Sequence, residues 1–280
     1  MICYYNGQFQ TISDIKVSPF DRGFLFADGV YEAIRTYNKT LFRYDDHLSR
    51  LKRSLKETRI DFTELISLEN IIYELMIKNE IENEALAYIQ ITRGSAIPRT
   101  HHFPEEKISP TIFISVKELT NNYEEQTNGV KVILQEDVRW LRCDIKSTSL
   151  LPAVFASQKA KEQNAAESIL VRDGLITEGT HTNFFAIKNE TVYTAPKSRF
   201  ILEGITRKVV LELCSKFKVD FIEDFINKDE LKSYDEFFIT STTKEITPVT
   251  EIDYWKINQG NPGKITMSLQ SLFKKIVEDY

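Results

Sequence analysis

The sequence predicts an α+β protein of two domains. Three observations predict it: β-type runs joined by two-residue turn signals, stretches with apolar residues three and four apart, and a polar, turn-rich segment just short of mid-chain. A length of 280 residues suits two domains better than one, since domains commonly run about 100 to 200 residues. The expected division is a small N-terminal domain at 1–117, a linker at 118–129 and a larger domain at 130–280.

The elements follow in order. Asn6-Gly7 inside the run from Cys3 to Phe9 is a two-residue hairpin signal. Asn38-Lys39 separates two further β-type runs, 30–37 and 40–44, and marks a second hairpin. Asp45 or Asp46 reads as the cap of a helix with Leu48, Leu51 and Leu55 on one stripe. A second amphipathic stretch, 65–79, gathers Leu68, Ile71, Ile72, Leu75 and Met76. Strands are expected at 87–92 and 111–116, and the ELTNNYEEQTNG segment then reads as the linker. Beyond it come a strand at 130–135, a helix at 152–163 with Pro152 in its first turn, and strands broken at Asp173-Gly174 and Asn189-Glu190. A helix opens near Gly204-Ile205-Thr206 and runs to Phe217; short strands at 237–240 and 247–252 precede a last helix from Gly263.

Composition excludes several classes. Hydrophobic residues make up 42% and charged residues 28%, enough apolar material for real cores, and the net charge of −5 is interspersed rather than blocked. There is no basic face of the kind a nucleic-acid groove needs, so an anionic ligand must be met by locally placed arginines. Three cysteines, Cys3, Cys143 and Cys214, have neither a disulfide framework nor metal-ligand spacing, so no metal is expected. No segment approaches the roughly 18 consecutive apolar residues that span a bilayer. The N-terminus MICYYNGQFQ shows no secretory signal, and a cytoplasmic location is expected.

Four segments carry chemistry. Lys146 lies in RWLRCDIKSTSLL, flanked by Ile145 and a leucine pair. Such a setting desolvates an amine, lowers its pKa and frees it as a nucleophile; a solvated surface lysine is the bland alternative. Glu178, in LITEGTHTNFF, is either a turn carboxylate facing water or the partner of a protonated ring nitrogen. Gly204, Ile205 and Thr206 open a helix and offer free N–H groups to a phosphate at its positive end, or else are ordinary capping. FITSTTKEITP runs into four hydroxyl residues, Thr240 to Thr243, that could donate further bonds or form a polar turn. A nucleophilic lysine, a carboxylate for a pyridine nitrogen and phosphate donors are what pyridoxal 5′-phosphate (PLP) requires of a protein.

Taken together, DRGFLFADGVYEAIR, HLSRLKRS, the lysine segment, LITEGTHTNFFAI, GITRKVV and TSTTKEITPV resemble, in order and over nearly the whole chain, the fold-type IV PLP enzymes. DVRWLRCDIKS and PRTHHFP resemble the D-amino acid aminotransferases within that group. The resemblance implies a small α/β domain, a larger domain with a barrel-like β core, and a homodimer with its active site at the domain junction. It further implies that Lys146 forms the Schiff base and shuttles the proton between substrate Cα and the cofactor's C4′, while Glu178 pairs with the pyridine nitrogen. Arg50, Ile205, Thr206 and Thr242 would hold the phosphate with Ser241 nearby, and Leu202 would pack on the ring. Tyr31 would bind the substrate's α-carboxylate together with Arg99 and His101 from the partner subunit. The expected reaction is transamination between a D-amino acid, such as D-alanine or D-glutamate, and a 2-oxo acid, such as 2-oxoglutarate or pyruvate. Aminodeoxychorismate lyase, branched-chain L-amino acid aminotransferase and a non-catalytic PLP-binding dimer are the alternatives.

Two residues depart from these patterns. Leu151 stands where branched-chain enzymes carry a tyrosine, which argues against that alternative. His181 replaces the small hydroxyl residue of the D-type pattern; it either narrows or recharges the substrate pocket or points to solvent.

Overall fold

The computed structural model describes residues 1–120 and 123–280. By contacts the chain falls into two compact units: Met1–Thr120 with Ile145–Ser149 and Tyr280, and the described part of 121–144 with Leu150–Asp279. The structure therefore groups the lysine segment with the first unit, whereas the sequence division assigns it to the second.

The first unit is a six-stranded sheet in the order Gln8–Thr11, Ile2–Tyr5, Thr111–Glu118, Ala85–Thr92, Gly29–Tyr37, Thr40–Leu41, antiparallel throughout. Both expected hairpins form. Asn6 and Gly7 take φ of 44° and 90°, and Asn38 and Lys39 take 48° and 65°, the doubly left-handed geometry whose twist matches the flanking strands. Strands Ala85–Thr92 and Thr111–Glu118 alternate buried and half-buried residues. Helices Tyr44–Thr58 and Leu68–Lys78 complete the core through Leu51, Leu55, Leu68, Ile72 and Leu75, all 4% exposed or less. Each such side chain contributes about 1.5 to 3 kcal/mol by leaving water. The expected cap at Asp45 or Asp46 is displaced: Arg43 precedes the helix in a left-handed conformation, and the two aspartates sit in the first turn. There they still favour the positive end of the helix dipole.

The second unit is a ten-stranded mixed sheet. Its centre is strands Asn183–Lys188 and Glu236–Ser241, buried on both faces, with Phe184 stacked on Phe237 and Phe185 on Phe238. Strands Val130–Glu136 and Glu167–Arg172 run parallel, joined through helix Leu151–Glu162, which starts with Pro at its first turn as expected. Helices Ile205–Phe217 and Lys264–Glu278 bury Val209, Val210, Leu213, Leu269 and Phe273. Within the expected linker, strand Thr111–Glu118 ends and Tyr123–Asn128 forms a short helix, while Asn121 and Asn122 lie outside the described residues. Gln126 on that helix is buried against Glu245, and its backbone carbonyl accepts from Gln270, so the helix is anchored at this residue while Tyr123, Glu124, Thr127 and Asn128 stay exposed. Among the described residues no helix is long and apolar enough to cross a membrane, and no cluster of metal-ligating side chains exists.

Candidate active site

In the first unit the segment Ile145–Ser149 is stitched to strand Gly29–Tyr37. Tyr31 N donates to Lys146 O at 3.0 Å, Thr148 N to Gly29 O at 3.0 Å, and the Thr148 hydroxyl to Ala27 O at 2.9 Å. Lys146 N donates to Ser54 Oγ at 3.3 Å. The backbone of Lys146 is thus held on both sides while its side chain is half-buried, Nζ lying 4.3 Å from the centre of the Tyr31 ring. The Tyr31 ring rests against Tyr88 at 5.7 Å. An amine over an aromatic face keeps its nitrogen oriented without spending it on a carboxylate.

Arg50 sits one helical face away from solvent, 7% exposed, with Nε and Nη2 donating to Glu32 at 2.7 and 2.8 Å. His47 Nδ1 lies 2.9 Å from the same carboxylate. Burial alone would raise the fully buried Glu32, but the Arg50 guanidinium and His47 outweigh it and hold its carboxyl well below the usual range. Burial likewise lowers His47 against the pull of Glu32. Glu32 and His47 have no assigned role in the sequence reading. The spacing of His47 and Arg50 on one helix face was a visible signal, but their carboxylate comes from a strand.

Arg99 and His101 lie on the long connection between strands Ala85–Thr92 and Thr111–Glu118, and both are exposed. They converge on Phe26, the Arg99 guanidinium 4.4 Å and the His101 ring 5.4 Å from its centre. Among the described residues the Arg99 guanidinium has no hydrogen-bond or ion-pair partner.

In the second unit Glu178 is 4% exposed and accepts three bonds: Arg139 Nη1 at 2.6 Å on Oε1, and Asn183 Nδ2 at 3.1 Å and Leu202 N at 3.0 Å on Oε2. Burial pushes the Glu178 carboxyl up to about 7 against the pull of Arg139, with Asp137 adding to the rise. Arg139 itself is held by Asp137 through Nε at 2.9 Å and Nη2 at 3.0 Å. Burial would raise Asp137 too, yet Arg139 and Arg172 more than offset it and hold Asp137 low. The sequence reading gave no role to Arg139 or Asn183, though both lie inside segments it singled out.

Asn183 also donates to Leu202 O at 2.9 Å, so Glu178, Asn183 and Leu202 form one unit at the entrance to helix Ile205–Phe217. A side chain at Gly204 would collide with Asn183 Oδ1, which is why the helix can start this close to the carboxylate. Its cap has no side-chain bond, and the first-turn N–H groups of Ile205 and Thr206 have no partner among the described residues. Ser241 Oγ accepts from Lys244 N at 3.1 Å, Thr242 is half-buried, and Thr240 Oγ1 is buried with no partner among the described residues. His181 turns its Nδ1 to Glu167 at 3.1 Å and to Thr180 Oγ1 at 2.9 Å, with its side chain 46% exposed.

The family model for amino-transferase class IV matches residues 29–252. The chain belongs to the class IV aminotransferases. It is a PLP-dependent aminotransferase. Over nearly its whole length the aminotransferase is similar to the D-alanine aminotransferases of Bacillus licheniformis, 43% identical over 275 residues, 98% of this chain and 96% of that one. It is also similar to that of Staphylococcus epidermidis, 41% identical over 278 residues, 99% of this chain and 98% of that one. Its fold matches the branched-chain amino acid aminotransferase of Escherichia coli with a TM-score of 0.91 at 23% identity, covering 99% of this chain and 94% of that one.

The residues present fit the cofactor. A carboxylate offers about four acceptor positions, and Glu178 has three filled, leaving one on Oε1 for a ring N–H. The uncapped start of helix Ile205–Phe217 and the hydroxyls of 240–243 are the donor set a phosphate takes.

Proposed function

We propose that this aminotransferase exchanges the amino group of a D-amino acid, D-alanine or D-glutamate, with a 2-oxo acid, pyruvate or 2-oxoglutarate. The observation that carries the reading is the pair Arg99 and His101 gathered on Phe26, with a guanidinium uncommitted to any protein carboxylate. The D-alanine aminotransferases at 41 to 43% identity support it.

In this reading Lys146 and Glu178 hold the cofactor, with Leu202 against its ring and Arg50, Ile205, Thr206, Ser241 and Thr242 around its phosphate. When bound, PLP supplies an electron sink for cleavage of the substrate's Cα–H bond. Lys146 Nζ would take the proton from the substrate's Cα and release it at the cofactor's C4′, the two ends of a 1,3-proton shift. Glu178 keeps a positive charge on the ring nitrogen; Arg139 and Asn183 fix the carboxylate that does so. Arg99, His101 and Tyr31 orient the substrate by its α-carboxylate, and the position of that anchor selects which enantiomer turns its hydrogen toward the lysine. The fork of a guanidinium suits a carboxylate in two parallel bonds.

We further propose a homodimer in the cytoplasm, with Arg99 and His101 serving the partner's site. Helix Leu151–Glu162 leaves Leu151, Val154 and Phe155 56 to 67% exposed, an apolar face that a second copy would cover. The three cysteines are free and buried, as suits a reducing compartment.

A coupled assay offering D-alanine, L-leucine and aminodeoxychorismate side by side tests the reading. Turnover of D-alanine far above the other two is expected. Preference for L-leucine or elimination of pyruvate from aminodeoxychorismate would refute it.

A further inference from the structure

We infer that Arg22 is a positioning residue that straps the substrate-binding loop into its working shape. This rests on the reading that Arg99 and His101 bind the substrate's carboxylate.

Between strands Ala85–Thr92 and Thr111–Glu118 the chain has no ladder beyond a single bridge, Asp21 to Ser95. Backbone pairing therefore does not hold residues 99–103, and side chains must. Arg22, 4% exposed, donates from Nη1 to Thr100 O at 2.7 Å and from Nη2 to His101 O at 3.2 Å. These are the carbonyls between and at the two trap residues. Its Nε pairs with Asp28 at 2.8 Å, and its guanidinium lies 4.8 Å from the centre of Phe26, the ring Arg99 and His101 share.

Asp28 is the anchor of the strap. Arg93 binds the same carboxylate through Nε at 2.8 Å and Nη2 at 2.9 Å. Arg93 also donates to Thr58 O at 2.7 Å and Arg59 O at 2.8 Å, the end of helix Tyr44–Thr58. Its guanidinium covers Phe103 at 3.7 Å, gripping the loop two residues beyond His101. The loop is thus tied through Asp28 to the helix that carries Arg50 and His47.

Each of the three Arg22 nitrogens donates to a protein oxygen and the side chain is 5% exposed, so the guanidinium is engaged with the loop and with Asp28. Its effect must pass through Arg99 and His101. A guanidinium displaced by about 1 Å from its carboxylate loses roughly a hundred-fold in efficiency, so the loss should fall on binding of both substrates, which present the same α-carboxylate.

The test uses the PLP-loaded enzyme and the variants Arg22→Met, Arg99→Ala and the double substitution. For Arg22→Met the KM for D-alanine and for 2-oxoglutarate should rise roughly 10- to 100-fold, kcat should stay within about three-fold, and the cofactor's visible absorbance should not move. In the Arg99→Ala background the same substitution should raise KM by clearly less than it does in the wild type, because one of the two groups it positions is gone. A KM within about two-fold of wild type, or effects that simply multiply, would overturn the inference. If Arg22→Met does not fold, Arg22→Lys serves: a KM between those of wild type and Arg99→Ala supports the strap, and a wild-type KM overturns it. Raised KM in Arg99→Ala with none in the Arg22 variants overturns the strap alone. An unchanged KM in Arg99→Ala overturns the reading of the trap as well.

Discussion

Arg139 Nη1 lies 2.6 Å from Glu178 Oε1, and the same guanidinium is held by Asp137 at 2.9 and 3.0 Å. The carboxylate expected to face the cofactor ring is therefore fixed by an arginine that is itself shared between two acids. Burial favours the neutral form of Glu178, and Arg139 is what opposes it.

Arg139→Leu should let the Glu178 carboxyl rise above about 7. Each unit of rise shifts the proton shared with the ring nitrogen about ten-fold toward the carboxylate, which weakens the charged pair that holds the ring, so cofactor affinity at neutral pH should fall. Titration of the cofactor-free variant with PLP, followed by absorbance, measures it. Unchanged affinity would show that Arg139 serves only the fold.

Glu32 gives a prediction in pH. Its carboxyl binds a proton more weakly in the folded protein than at its ordinary value of 4.5. The stability it contributes is therefore complete above that value and is lost as pH falls through the much lower folded value. Glu32→Gln should cost about 3 to 5 kcal/mol at pH 7. The difference from wild type should shrink below pH 4.5, by about 1.4 kcal/mol per unit. Urea unfolding at a series of pH values checks this; a difference constant from pH 7 to pH 3 would contradict it.

Subunit mixing tests the proposed sharing of Arg99. Lys146→Ala and Arg99→Ala dimers, each nearly inactive at low D-alanine, should regain activity when their subunits exchange. In a hybrid one site then combines an intact Lys146 with an intact Arg99 from the other chain. Random exchange predicts about a quarter of wild-type activity, since half the dimers are hybrids with one good site each. No recovery despite demonstrated exchange would put Arg99 in the same subunit's site.

The apolar face Leu151, Val154 and Phe155 should be covered in the assembly. Phe155→Asp should shift the protein toward monomer in sedimentation, because a buried unpaired carboxylate costs several kcal/mol. Sedimentation identical to wild type would place the interface elsewhere.

Much of the fold was legible because its determinants are local. Asn6-Gly7 and Asn38-Lys39 specify their hairpins by φ alone, and the leucine stripes of 48–55 and 68–76 set two helices. What was not legible depends on distant residues. The lysine segment joins the first unit because, more than a hundred residues earlier, Tyr31 N donates to Lys146 O and Gly29 O accepts from Thr148 N. Glu32, 15 and 18 residues from His47 and Arg50, gave no periodic signal of its own. The supports of the site, Arg139 behind Glu178 and Arg22 behind the Arg99 loop, were invisible for the same reason: their partners are chosen by packing, not by spacing. Resemblance named the candidate groups, and only coordinates could show what holds them.

The central claim is that the Lys146 amine carries the cofactor. Borohydride reduction of the PLP-loaded protein, followed by proteolysis and mass mapping, tests it most directly. The phosphopyridoxyl label should fall on Lys146 alone, and the Lys146→Ala protein should take up none. A label on any other lysine, with Lys146 recovered unmodified, would contradict the account.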